Sequence, residues 1–210
     1  RQVLILFFFM RPQWGFKWQE VKRRGLDIII ALDTSKSMLA SDVKPNRLER
    51  SKLAVKDFVR TLKGDRIGLI AFSGEAFLLC PLTVDYSGFL FSLNSLDVDI
   101  IPRGGTSLSK AIQEALKSYK GGVNKYKVLI LITDGEDHEG NAVKAAETAK
   151  KAGLKIFCIG IGTPEGELIS ITDEKGNKTF LKDSRGNVVK TRLDESTLQK
   201  IALTTGGSYV

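Results

Sequence analysis

A chain of 210 residues that is 42% apolar and 27% charged carries enough core-forming material for one α/β domain with an N-terminal segment attached. Its net charge of +8 is spread over many short runs, which reads mostly as solvated surface, with nucleic acid or anionic membrane as a weaker option; the aromatic-rich basic motifs of an RNA-binding sheet are missing, and no nucleic-acid partner is expected. Cys80 and Cys158 sit in apolar runs without metal-ligand spacing and read as buried thiols, and the single histidine, His138, excludes a Cys/His zinc site.

Val3 to Met10 are eight consecutive apolar residues, whereas a membrane span needs roughly 20. Arg11, Lys17, Lys22, Arg23 and Arg24 follow, with Trp14 and Trp18 between them, as at a membrane interface. Residues 1–24 are therefore expected to be the tail of a truncated transmembrane helix and a basic linker, with the folded domain occupying 25–210. The basic flank favours the cytoplasmic side by the positive-inside rule.

Ile28 to Leu32 form a short unbroken apolar run, the pattern of a strand buried on both faces in a parallel sheet. It stops at Asp33, after which Ser35 and Ser37 place hydroxyls at alternate positions beyond a strand's C-terminal end, where open α/β sheets bind ligands. One acid and two hydroxyls suit a hard divalent cation such as Mg2+. The competing reading makes Ser35 or Ser37 a cap of the next turn or helix.

Pro45 and Asn46 introduce a helix in which Leu48, Leu53, Val55, Phe58, Val59 and Leu62 recur at helical spacing and which Gly64 ends. Arg66–Phe72 and Ala76–Leu82 read as two strands joined by a tight hairpin, the second an antiparallel edge strand ending near Pro81. A short helix spans Tyr86–Leu96. The Gly104-Gly105 pair then delivers Thr106 just before a helix over Ser107–Tyr119, so Thr106 is either that helix's cap or a further oxygen ligand.

Lys127–Thr133 is the clearest central strand, and it ends in Asp134-Gly135. Neighbouring parallel strands would bring Asp33 and Asp134 to one edge of the sheet, although an Asp-Gly turn alone also explains the pair. His138 reads as a solvent-exposed loop residue. A helix over Asn141–Ala152, carried by Val143, Ala146 and Ala149, precedes a strand at Lys155–Ile161. From about 165 to 190, β-prone pieces broken by Lys-Gly-Asn and Arg-Gly-Asn turns indicate an inserted β-hairpin or small meander. A helix over Leu193–Thr204 and a strand beginning at Gly206 complete the chain.

Asp33-x-Ser35-x-Ser37, Thr106 in a Gly-Gly-Thr loop and Asp134 in a Thr-Asp-Gly turn together resemble the metal-ion-dependent adhesion site (MIDAS) of von Willebrand factor A (VWA) domains, in order and spacing. GLDIIIALDTSKSMLASDVKPNRLER, FSGEAFLLCPLTVD and IPRGGTSL further resemble the membrane-anchored bacterial VWA proteins of the Bat aerotolerance type, encoded beside MoxR-type AAA+ ATPases. The resemblance implies a Rossmann-like α/β fold: a mostly parallel sheet with one antiparallel edge strand and helices on both faces. It implies Mg2+ held by Ser35, Ser37 and Thr106, with Asp33 and Asp134 acting through water, Mn2+ or Ca2+ substituting in vitro, and a partner's Asp or Glu completing the shell. It also implies a place in the bacterial inner membrane through flanking helices, and a stress or oxygen-tolerance role alongside a MoxR-type ATPase and other Bat-type proteins.

Such a module is not an enzyme. The alternative, an aspartyl-phosphate hydrolase of the haloacid-dehalogenase type, needs a second Asp two residues after the first as acid/base, and Ser35 holds that place. A Ser/His/Asp hydrolase lacks its G-x-S-x-G elbow. A third reading leaves the domain purely structural.

Overall fold

The computed structural model describes residues 25–210 apart from residues 103, 120–125, 138, 173–175 and 184. The expectations for residues 1–24 and for His138 lie outside the described residues. Among those described, no helix is long and apolar enough to cross a membrane.

Five strands form the central sheet: β1 (Asp27–Asp33), β2 (Arg66–Phe72), β3 (Ala76–Thr83), β4 (Lys127–Thr133) and β5 (Leu154–Gly160). Their order is β3-β2-β1-β4-β5, with only β3 antiparallel, as the short Ser73-Gly74-Glu75 connection requires. The parallel pairs are joined by crossover helices: α1 (Arg47–Thr61) and α2 (Tyr86–Asn94) cover one face, and α3 (Leu108–Ser118), α4 (Ala142–Lys151) and α5 (Glu195–Thr205) the other. Because side chains alternate along a strand, β1 sends Ile28, Ile30 and Leu32 into the core under α1 and α2, and Ile29 and Ala31 into the core under α3 to α5. All seven residues of β1 are buried, which is why its sequence runs apolar without alternation.

Two helices bury most of the face expected and leave one apolar residue each outside it. In α1 the buried positions are Arg47, Leu48, Ser51, Lys52, Val55 and Val59, while Leu53 is 45% exposed. Position 53 lies about 140° around the helix from position 48 at 100° per residue, off the stripe that Leu48, Val55 and Val59 define. In α4 the buried residues are Ala142, Ala145, Ala146 and Ala149, and Val143 faces outward.

The insertion after β5 consists of two nested antiparallel pairs. β6 (Glu167–Leu168) pairs with β9 (Lys190–Thr191), and β7 (Ser170–Thr172) pairs with β8 (Lys178–Phe180). The outer pair forms the base and the inner one projects beyond it. After α5, Gly206 turns the chain in the left-handed region, and Tyr209 bridges Cys158 in parallel, beginning a sixth strand beside β5. Both cysteines are buried free thiols.

Candidate metal centre

The order β2-β1-β4 creates a topological switch point, because the chain leaves β1 toward β2 on one side and reaches β4 on the other. Leu32 lies opposite Ile132, so Asp33 ends β1 beside Thr133, and Asp134 follows one residue on. Both carboxylates are fully buried at this edge. Sequence reasoning placed them together, and the register does so.

Asp33 is held by hydroxyl and amide donors. Thr133 Oγ1 donates to Asp33 Oδ2 at 2.6 Å, and the Ser35 amide donates to Oδ1 at 2.8 Å. The Gly135 amide in turn donates to Thr133 Oγ1 at 3.1 Å, which locks the β4 loop to the β1 loop. Gly135 has φ +82°, and a Cβ there would collide with the Asp194 carbonyl oxygen, so the turn after Asp134 requires glycine twice over.

The serines do not cap. Ser35 precedes a short 3-10 turn (Lys36–Leu39) without any side-chain capping bond; the turn is closed by the Met38 amide donating to the Ser35 carbonyl at 3.0 Å. Ser35 Oγ and Ser37 Oγ instead lie 2.9 Å apart, hydrogen-bonded to each other, and the Ser37 hydroxyl works against the upward shift of the Asp134 carboxyl. Thr106 is likewise not the cap of α3. Ser107 caps it, accepting from the Lys110 amide at 3.4 Å. Thr106 is buried on the same rim, because the Ser107 amide donates to the Ser73 carbonyl at the end of β2 (2.8 Å). Gly104 and Ser73 share with Thr34 and Ser35 the walls of a cavity of about 160 Å³.

Three of the expected residues, Asp33, Ser35 and Ser37, thus form one bonded group; Asp134 stands beside it at the end of β4, and Thr106 precedes Ser107, whose amide bonds Ser73 at the end of β2. Thr133 and Arg47 belong to this edge as well and were missed. Arg47 is fully buried and its Nη1 reaches Asp134 Oδ2 at 3.0 Å. A threonine closing a strand and an arginine opening a basic helix carry no local mark of such a role.

Burial in a low-dielectric edge disfavours ionised carboxylates, and two acids close together repel. Burial first, then the charge of Asp134, pushes Asp33 up to about 7, against the hydrogen bonds from Thr133 and Ser35. Asp134 is also raised, mainly by burial and by the neighbouring Glu136, while Ser37 and Arg47 oppose the shift. The edge therefore holds hard oxygen donors and more negative charge than Arg47 alone offsets. Among the described residues no group of three or more Asp, Glu, His or Cys side chains converges into a metal cage. Two acids with hydroxyls fit a hard dication that keeps positions open for water or an outside ligand, and do not fit a closed structural site.

The von Willebrand factor type A domain profile matches residues 28–136, just over half of the chain. The structure is similar to that of the conserved hypothetical protein BatB from Bacteroides thetaiotaomicron, at 41% identity and TM-score 0.84, covering 89% of each chain. It is also similar to an aerotolerance-related membrane protein from Bacteroides fragilis, at 39% identity and TM-score 0.83, covering 89% of this chain and 90% of that one. An uncharacterized Borreliella burgdorferi protein is 32% identical over 189 residues, 88% of this chain and 53% of that protein, so the chain spans about half the length of this curated relative. The profile match across both halves of the acidic edge, together with these Bat-like relatives, makes the chain a member of the von Willebrand factor A domain family.

Proposed function

We propose that this domain is a cation-dependent protein-interaction module: Asp33, Ser35, Ser37, Thr106 and Asp134 hold one Mg2+, and the open side of that ion takes a carboxylate from a partner protein. The observation that carries the reading is the orientation of the serines. Ser35 and Ser37 turn their hydroxyls to each other rather than to the backbone they precede. By the family resemblance, Ser35, Ser37 and Thr106 would ligate directly and Asp33 and Asp134 through water. A bound dication supplies positive charge that offsets two buried acids and attracts one more anionic oxygen. Thr133 and the Ser35 amide fix Asp33, and Arg47 fixes Asp134, so neither acid has to be ordered when the ion arrives.

By the same family resemblance, the domain would belong in the cell to a membrane-anchored bacterial protein that works with a MoxR-type AAA+ ATPase and other Bat-type proteins in stress or oxygen tolerance. The hydrolase alternative gains no support, because Ser35, where the acid/base would stand, engages Ser37 through a hydroxyl that does not ionise near neutral pH.

Calorimetric titration with Mn2+ tests the proposal. One site is expected, weakened by about tenfold or more in Ser35→Ala, Thr106→Ala and Asp134→Ala, with folding retained by circular dichroism. Unchanged binding in all three variants would remove the site. Capture of partners from membranes, with and without chelator, then tests the interaction itself.

A further inference from the structure

Arg47 does more than pair with Asp134. Its Nε and Nη2 grip Asp42 Oδ1 and Oδ2 at 2.9 and 2.7 Å, while Nη1 donates to Asp134 Oδ2 and to Thr191 Oγ1, both at 3.0 Å. Gly162 makes room for the group: a Cβ there would lie 2.7 Å from the guanidinium carbon. Asp42 also accepts from the Thr163 amide (2.9 Å) and hydroxyl (3.1 Å). Thr191 Oγ1 lies 3.1 Å from Asp134 Oδ2 and 3.0 Å from Glu136 Oε1, and Glu136 accepts the Arg192 amide at 3.1 Å.

Thr163 and Thr191 are the two feet of the insertion, where the chain leaves the Rossmann-like body and where it returns. Both are bonded to the cluster that holds Asp134. The feet also border the candidate cation edge: Pro164, Arg192, Leu193 and Asp194 line an open cleft of about 560 Å³ with Glu136 and Asp137.

We propose that Arg47 is a positioning residue that couples the cation site to the insertion: an ion at Asp134 tightens the feet at Thr163 and Thr191, and loosening the feet weakens the hold on Asp134. This rests on the cation reading above and goes beyond it, because it assigns the insertion a part in the same event. The physical ground is sharing. Asp134 Oδ2 lies within bonding distance of one arm of a buried fork whose other arms are fixed by Asp42, and Asp42 fixes Thr163; no member can shift without breaking a charge-assisted bond, and Arg47, Asp134 and Thr191 are themselves buried. Reciprocity follows, since whatever the ion does to the feet the feet do to the ion.

Amide hydrogen exchange on the 210-residue chain, in chelator and in saturating Mn2+, reads both ends. Mn2+ is expected to slow exchange at 163–168 and 189–194 by about threefold or more in the native sequence, beyond its effect at 134–136. Thr191→Val, which keeps the shape and removes the hydroxyl, should bind Mn2+ within about threefold of native yet lose the slowing at the feet. Arg47→Met should lose it too, and Arg47→Lys should restore part of it; Arg60→Met, at an exposed pair with Asp57, should behave as native. Mn2+ that binds without changing exchange at the feet overturns the coupling and leaves the cation site standing. If calorimetry detects no Mn2+ binding, the cation reading fails and the chelated samples decide. Thr191→Val must then speed exchange at 134–136 severalfold, and an unchanged rate there overturns the inference.

Discussion

Strand β1 begins and ends with a buried aspartate, and the two ends treat that residue in opposite ways. At Asp27 the guanidinium of Arg66 closes on both oxygens, at 2.8 and 2.6 Å, and Tyr119 donates to the Asp27 carbonyl at 3.0 Å. At Asp33, six residues along and equally buried, the partners are a hydroxyl and an amide, the charge that acts on it is another carboxylate, and among the described residues no cation is paired with it. One end is a neutralised clamp. The other is a carboxyl group without a paired cation among the described residues, which the fold retains at a cost, and such a cost is expected where a ligand is to be bound.

Three measurements break or sharpen this contrast. The largest effect is expected from Arg66→Met, which removes the forked Arg66 contact from the buried Asp27 carboxylate. Urea unfolding should show a loss of about 2–3 kcal/mol, toward the low end for a buried pair because the Arg66 side chain is 37% exposed. A loss below about 0.5 kcal/mol would make the two ends equivalent and the contrast empty.

The second is pH dependence. Folded Asp33 keeps its proton up to about 7, whereas an ordinary aspartate releases it near 3.8. Between those values the folded state binds more protons, so this group's contribution is full below the lower value and falls as pH rises toward the upper one. Saturating Mg2+ should accordingly raise the melting temperature more at about pH 8 than at about pH 5, where the ion must displace a proton. A shift that is equal at both pH values would show that Asp33 does not face the ion.

The smallest effect is Asp33→Asn in chelator. Removing one of two repelling buried charges should leave the protein unchanged or raise its stability by about 1 kcal/mol, the reverse of the Arg66 result, while Mn2+ binding is lost in calorimetry. Destabilisation of about 2 kcal/mol or more would mean that Asp33 serves the fold as Asp27 does.

What could be read without coordinates follows from how local each signal is. The β1 and β4 runs and the acids that end them are contiguous patterns, so the positions of Asp33 and Asp134 on one edge followed from strand direction alone. The caps were ambiguous because a serine or threonine before a helix looks the same whether its oxygen faces the backbone or a neighbour. The structure assigns the capping of α3 to Ser107 and turns Ser35 and Ser37 elsewhere. Arg47 was not legible: charge at the start of a helix ordinarily means solvent, and its burial depends on Asp42, Asp134, Gly162 and Thr191, which no sequence window contains. Leu53 misled for the complementary reason, being apolar in the right segment but off the buried stripe. The turns of the insertion were visible, but its nesting was not, because strands of two or three residues carry too little pattern to specify their partners.

The double allegiance of β1 has a further consequence. Alternate residues of this strand belong to different cores, so sliding it by one position would exchange Ile29 and Ala31 with Ile28, Ile30 and Leu32 and spoil both at once. The repulsion at its tip therefore has no mechanical escape: the strand cannot creep backward to carry Asp33 away from Asp134. Only chemistry, a proton or a cation, can quiet that corner of the molecule.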